Sequence, residues 1–455
     1  MLIGFSVSNF KSFHKAQSIS FKATKISKHK EHLIQIGNKK ILKTGIIFGA
    51  NAGGKSNLIK AVDFSREIIL EGLEKMDLSK QYFRLDRSCI HQPGVFEYRI
   101  GLDEQEYVYG FAISYVKREI IAEWLIRVEK SGREICLFNR DKDDDGNSTA
   151  ETEARFSQKE DNMRMNIYLE DFGKNISEAF KRKTILNDIA LRSNEKSGVF
   201  AEIYQVFQWF VRMIIVFPTS RYGGLGEIAE DKLKRNWFTL MMNYFDTGIK
   251  SVESQKEEMS FDEILRRLPD DEANEIKVEV LKRLRDEPVI FRVNDFIYSL
   301  KKDGHGDVIS TKMVSNHGNE MDLFEYADES DGTKRLFHLV PLFYESEEES
   351  TILIDEIDRS FHTNLTRKFL ELFYRLTADE KKQIIATTHD SNLLDLDLVR
   401  QDEIWFVERQ EDQSSVLFSL HKFKERFDKQ VDREYLLGRY GAVPVFGEWG
   451  NADGQ

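Results

Sequence analysis

The sequence predicts an α/β fold: a covered, largely parallel sheet that carries a phosphate-binding loop, with a helical region inserted into it. Three observations predict this. Residues Gly49 to Ser56 read G-A-N-A-G-G-K-S, a full match to GxxxxGK[ST]. Two later apolar runs, Thr351 to Ile354 and Gln383 to Thr388, end in Asp355-Glu356 and in His389. Strands of a covered parallel sheet read as such runs, and their C-terminal ends gather where ligands bind. Between the loop and these runs lie segments whose apolar residues recur at helical spacing among charges.

The phosphate loop has the flanks it needs. Thr44 to Phe48 is a short apolar strand, and Asn57 to Val62, continuing to Leu70, has helical spacing. Strand, glycine-rich turn and helix follow in order. Backbone N–H groups of such a turn converge on phosphate oxygens, and the helix N-terminus adds its partial positive charge. Gly49, Asn51, Gly53, Gly54, Lys55, Ser56 and Asn57 are therefore the expected triphosphate-holding residues. Lys55 reaches the β- and γ-phosphates, and the Ser56 hydroxyl ligates Mg²⁺.

The remaining elements fall around this core. Leu2 to Val7 and Ile19 to Lys22 read as two strands joined by a turn. Val95–Ile100, Glu106–Phe111 and Trp124–Val128 read as an antiparallel meander, and Asp141–Glu153 as a mobile surface loop. Phe200–Phe217 begins helical and ends in an apolar run. Glu227–Phe245 and Phe261–Leu284 are amphipathic, the latter broken by Pro269. These segments suit a self-packed helical subdomain, a projecting lever or a partner-docking surface, and no heptad repeat supports a long coiled coil. Strands resume at Val289–Phe291, Phe296–Leu300 and Val308–Met313, then Thr351–Ile354, a helix Thr363–Tyr374, Gln383–Thr388, Glu403–Val407 and Val416–Leu420. The expected division is 1–199 for the first part of the core with its β lobe, 200–288 for the helical insertion, and 289–455 for the second part.

The totals set limits. The 455 residues exceed one usual compact core, which fits a nucleotide core with a second region. With 41% hydrophobic and 32% charged residues the composition is that of a water-soluble globular chain. No long apolar run and no signal peptide occur, so a cytoplasmic location is expected. Cys89 and Cys136 are far apart and lack metal-ligand spacing, which argues against structural zinc. A formal charge of −12 weakens average attraction to DNA, leaving only a local basic groove to bind it.

The second half carries the chemistry. Asp355, at a strand end, is placed to hold Mg²⁺ beside Ser56. The adjacent Glu356 is not needed for the metal and is the residue to orient or deprotonate the attacking water. His389 can hydrogen-bond the γ-phosphate or that water. Asp358 can contact a second subunit, and His362 is a weaker case. In Glu329-Ser330-Asp331-Gly332-Thr333-Lys334-Arg335, small polar residues open a helix, an anion-binding arrangement that can equally be a plain cap. One subunit needs one phosphate cradle, so Ser330, Gly332 and Thr333 are expected to meet the γ-phosphate held by another subunit.

This ordered set resembles the ATP-binding-cassette (ABC-type) heads of the structural-maintenance (SMC) and RecF-like group, and in particular the bacterial "AAA family ATPase" proteins of the AAA15/AAA21 type. The opening Val7-Ser8-Asn9-Phe10-Lys11-Ser12-Phe13, the phosphate loop, Phe83-Arg84-Leu85-Asp86 and the tail Tyr435 to Pro444 carry it too. Glu329–Arg335 stands at the signature, Asp355-Glu356 at the Walker B pair, Asp358 at the D-loop and His389 at the switch histidine. The resemblance implies a P-loop ATPase head, ATP and Mg²⁺ as cofactors, and head-to-tail homo-oligomers that can extend into a ring. Two departures stand out: neither Gln81 nor Gln92 is placed as a metal-sensing glutamine, and the signature reads S-D-G-T. Related anti-phage nucleases join such a head to a Toprim domain. This chain ends shortly after Pro444, so the resemblance implies a separate Toprim-type nuclease effector and a phage trigger protein. The other implied tasks are a RecF-like DNA-repair ATPase, with Lys22, Lys25, Lys28, Lys30, Lys39, Lys40 and Lys43 as its basic face, and a binding module clamped by ATP. No membrane partner is expected.

Overall fold

A computed structural model describes residues 1–142, 147–156, 158–173, 176–193, 198–220, 225, 228, 231–256, 259–284, 289–293, 296–302, 308–319, 321–345, 349–423 and 430–444. The chain forms two compact units: Met1–Phe217 with Glu348–Asp358 and Thr377–Gln455, and Pro218–Glu347 with Arg359–Leu376.

The first unit holds the expected α/β core. Its six-stranded sheet runs, in spatial order, Ile214–Val216, Glu349–Ile354, Lys381–Thr387, Thr44–Phe48, Ile404–Arg409 and Ser415–Ser419. All neighbours are parallel except the last pair. Thr44–Phe48 is buried throughout, as a strand covered on both faces must be. The histidine strand Lys381–Thr387 lies between the phosphate-loop strand Thr44–Phe48 and the acidic strand Glu349–Ile354. Two ladder steps of 4.7–4.9 Å separate the latter two by roughly 9.5 Å.

A seven-stranded antiparallel sheet belongs to the same unit, in the order Ser148–Glu151, Glu134–Lys142, Glu119–Val128, Gln105–Ser114, Gly94–Leu102, Leu2–Ser8 and Gln17–Ser20. The segment expected as a loop at Asp141–Glu153 therefore contains a strand, Ser148–Glu151, paired with Asn139–Lys142; residues 143–146 lie outside the described ones. Helix Lys55–Glu71 contributes Ile59, Val62 and Ile68 to one apolar core with Tyr98, Tyr109 and Phe210. The two sheets are also stitched by one buried amide. Gln383 accepts from the Leu2 N–H at 2.9 Å and donates to the Leu2 and Leu42 carbonyls at 2.9 and 3.0 Å.

The second unit is mixed rather than purely helical. Helices Lys232–Tyr244, Phe261–Leu265, Asp270–Arg283, Asp331–Leu339 and Thr363–Leu376 accompany a five-stranded sheet of Ser251–Lys256, Val289–Val293, Phe296–Lys302, Val308–Asn316 and Phe324–Glu325. Pro269 parts the second and third helices as expected, and the Ser260–Glu263 capping box starts the second. Phe261, Ile264, Phe291, Tyr298 and Leu300 form this unit's own core.

Candidate active site

The phosphate loop closes as the motif requires. Gly54 has φ 111°, a left-handed conformation that disfavours any side chain, and a Cβ there would come within 2.2 Å of Ser415 Oγ. Ser415 Oγ donates to the Gly53 carbonyl at 2.7 Å and shares a hydrogen bond with Ser12 Oγ at 2.8 Å, and the Asn57 amide donates to Ser12 Oγ at 2.8 Å. The opening Asn9-Phe10-Lys11-Ser12 segment thus braces the loop from one side and Ser415 from the other. Asn9, 1% exposed, anchors that segment by donating to the Cys89 and Gln92 carbonyls and accepting from the Phe83 N–H. Ser12 and Ser415 were invisible as site supports in sequence, because their proximity joins a turn and a strand far apart in the chain.

A cavity of about 480 Å³ is lined by Ala50–Asn57, Glu356 and His389. Gly53, Gly54, Lys55, Ser56, Asn51 and Asn57 line it together with Glu356, from a second strand, and His389, from a third. Lys55 Nζ donates to the Gly49 and Ala50 carbonyls at 2.7 and 3.1 Å and to His389 Nδ1 at 3.2 Å. Burial lowers the Lys55 ammonium to about 8, against the pull of Asp358, Asp355 and Glu356. His389 is pushed below its usual value by burial and then by the Lys55 charge. A neutral imidazole accepting at Nδ1 carries its proton at Nε2, leaving a donor for an anion.

Thr387, fully buried, ties the acids in place. Its hydroxyl donates to Asp355 Oδ1 at 2.7 Å and accepts from the Glu356 N–H at 2.8 Å, while the Ile357 N–H donates to the Thr387 carbonyl at 3.0 Å. Glu356 is held at φ 51°, a left-handed backbone unusual for a non-glycine residue. The Asp358 carboxylate accepts from the His389 N–H at 3.1 Å, so within its own chain it positions the histidine segment. Gln81 and Gln92 do not line this cavity.

Ser330, Gly332 and Thr333 lie in the second unit. Ser330 caps helix Asp331–Leu339, its Oγ accepting from the Thr333 N–H at 3.2 Å and sharing a hydrogen bond with Thr333 Oγ1 at 2.9 Å. Its side chain is exposed, and a Cβ on Gly332 would sit 3.0 Å from the Ser360 carbonyl. His362 is exposed. Of the seven lysines offered as a basic face, Lys22 and Lys39 pair with Glu106, Lys28 with Asp397, and the buried Lys43 donates to the Thr377 and Ala378 carbonyls. Only Lys25, Lys30 and Lys40 of that set are both exposed and outside these pairs. No described helix is long and apolar enough to cross a membrane.

The donors suit a nucleotide and its metal. A glycine cradle with no room for side chains, a buried ammonium, and the hard oxygen donors Ser56 and Asp355 are what a triphosphate with Mg²⁺ takes. Fold and site together define a phosphate-loop ATP-binding head of the α/β class, with an inserted region. The chain belongs to the family described as AAA domain, putative AbiEii toxin, Type IV TA system, whose model matches residues 46–169 and 227–395. No curated protein matches it. Among solved structures it is similar to an SMC head bound to the C-winged helix domain of ScpA (14% identity, 92% of this chain and 97% of that one, TM-score 0.36). It is also similar to the SMC head domain from Thermotoga maritima (13% identity, 92% and 98%, TM-score 0.30). Both overlays are loose.

Proposed function

We propose that this chain hydrolyses ATP as the sensor and scaffold subunit of an anti-phage defence system, and that it controls a separate nuclease effector. Its family, tied by description to toxin–antitoxin systems, supports the defence setting. The observation that carries the ATPase part is the convergence of Lys55, Glu356 and His389, from the segments that follow three neighbouring strands, on one 480 Å³ cavity. In this reading Gly49 to Asn57 cradle the phosphates, and Lys55 turns from its carbonyl partners to the β/γ oxygens. Mg²⁺ held by Ser56 and Asp355 would neutralise charge at those oxygens. Glu356 orients and deprotonates the attacking water, and the His389 Nε2–H donates to the γ-phosphate. Ser330, Gly332 and Thr333 of a second subunit complete the site, and Asp358 lies near that contact. Head-to-tail pairs follow, and asymmetric contacts between pairs can close a larger ring.

The AriA ATPase of the PARIS anti-phage system, whose effector is the Toprim nuclease AriB, is one system of this kind that the chain resembles. The lysine pairs with Glu106 and Asp397 and the burial of Lys43 rank a RecF-like DNA role lower. The test is purification of the tagged chain from its native operon, with and without phage infection. A nuclease encoded beside it should co-purify and be released when a phage protein is present. A stable chain that retains nothing from its own operon would refute the defence reading.

A further inference from the structure

His29-Lys30-Glu31-His32 lies in the first unit, where a short 3₁₀ turn, Lys30–His32, is entered by His29 at φ 53°. The two imidazoles stack, with 4.8 Å between centroids and 18° between planes. One nitrogen of each ring and a Glu31 oxygen lie within 4.8 Å of one another. The outer nitrogens are already held. His29 Nε2 donates to the Leu396 carbonyl at 3.0 Å, since a carbonyl can only accept. His32 Nδ1 donates at 3.0 Å to Glu403 Oε2, which also accepts the Arg400 N–H at 2.7 Å. Both His32 and Glu403 are buried. These two bonds set the tautomer of each neutral ring. The inner nitrogens, His29 Nδ1 and His32 Nε2, then turn their lone pairs toward one atom, Glu31 Oε1, at 3.2 and 3.8 Å. Three electron-rich atoms at that spacing call for a cation among them. Two added protons would stack two like-charged rings face to face, whereas one metal ion leaves both rings neutral.

We propose that His29 Nδ1, the Glu31 carboxylate and His32 Nε2 bind a Zn²⁺ ion, with water in the fourth position. Zinc takes imidazole nitrogen and carboxylate oxygen at about 2.0–2.2 Å in a tetrahedron, which sets ligand atoms roughly 3.4 Å apart, between the two separations found. A metal-binding imidazole gives its other N–H to a carbonyl or carboxylate, the roles Leu396 and Glu403 fill here. The Glu31 side chain is 60% exposed, so ion and water enter from solvent. The backbone around the cluster is fixed beforehand. Arg400, fully buried, donates to the Lys28 carbonyl at 2.7 Å, and the Thr24 N–H and hydroxyl both donate to Asp402 Oδ2 at 2.7 Å. No cysteine takes part, so cysteine spacing carried no sign of the site. It is also distinct from the phosphate loop. The Lys43 N–H donates to the His32 carbonyl at 2.8 Å just before strand Thr44–Phe48, and the loop begins at the other end of that five-residue strand, roughly 16 Å away at 3.3 Å per residue. The ion's role is structural: it locks residues 24–32 onto 396–403. The proposal stands independently of the ATPase and defence readings.

The test is zinc titration of the full chain, free of any histidine tag, stripped with a chelator and kept without nucleotide, against a chromophoric chelator as competitor. One Zn²⁺ per chain should bind in the micromolar range or tighter, and should raise the melting temperature by mass action. Glu31→Gln and His29→Asn should each weaken binding by more than about 100-fold, beyond the 10–100-fold that loss of an outer hydrogen-bonding partner costs. Asparagine suits the left-handed backbone at position 29, so that variant removes a ligand without straining the turn. Neither variant should keep the zinc-dependent rise in melting temperature. Co²⁺ in place of zinc should give the visible bands of a tetrahedral nitrogen–oxygen site with no thiolate charge-transfer band. Failure of the stripped parent to take up one ion at micromolar zinc would overturn the proposal and leave two protonated rings hydrogen-bonded to Glu31. Stoichiometric binding that survives both substitutions would overturn it too, as would a thiolate band, which places the metal at a cysteine. Should the variants fail to fold, the parent's zinc stoichiometry and Co²⁺ spectrum decide.

Discussion

Thr387 makes two hydrogen bonds that fix both acids of the site, one to the Asp355 side chain and one from the Glu356 backbone. Thr387→Val keeps the shape and removes both. ATP turnover should fall about 10²-fold, the scale of an ångström-sized misplacement, with ATP affinity nearly unchanged. Thr387→Ser should restore most of the rate; equal loss in both variants would contradict the clamp. Glu356→Gln should bind ATP but turn it over about 10²–10⁴-fold more slowly, read as phosphate release under single-turnover conditions. At this scale the sequence was legible where chemistry is written locally: Gly49 to Ser56, Asp355-Glu356, and His389 after an apolar run. Thr387, Ser12, Ser415 and the Lys55–His389 contact were not, because each depends on which strands lie side by side. Periodicity names strands but not their order.

Elements with strong periodicity were equally readable. The helical start of Phe200–Phe217, the break at Pro269 and the strands beginning at Val289, Phe296 and Val308 lie where the pattern puts them, and the apolar run that closes Phe200–Phe217 contains the strand Ile214–Val216. Ser251–Lys256, S-V-E-S-Q-K, buries only Val252 fully, so no alternation announced it; partner strand Thr311–Asn316 specifies it instead. Helix Lys55–Glu71 holds a testable strain of its own. Burial, and then the charge of Glu67, push the half-buried Asp63 up to about 6, partly offset by Arg66. Between the ordinary value of 3.8 and 6 the folded chain holds more protons than the unfolded one, so raising pH through that window destabilises it. Asp63→Asn should therefore raise the melting temperature at pH 7.5, by an amount worth about 1 kcal/mol, and have little effect near pH 4. A gain of the same size at both pH values would contradict the burial argument.

The molecule as a whole divides so that the phosphate loop, Asp355, Glu356, Asp358 and His389 belong to one unit, and Ser330, Gly332 and Thr333 to the other. The central claim is that a second subunit supplies those last three residues to the γ-phosphate. Ser330 already caps its helix, so Ser330→Arg costs about 1 kcal/mol for the lost cap, and Ser330→Ala serves as the control for that loss. ATP binding by single subunits should survive Ser330→Arg and be largely lost in Lys55→Ala, and neither variant should hydrolyse ATP alone. The most direct measurement is ATP turnover of the two variants mixed in verified joint assemblies. If the site is shared, one kind of interface pairs an intact phosphate loop with an intact Ser330-Asp331-Gly332-Thr333, and activity returns in proportion to those interfaces. Full activity of Ser330→Arg by itself would contradict the account, leaving a phosphate-loop ATPase that works within one chain.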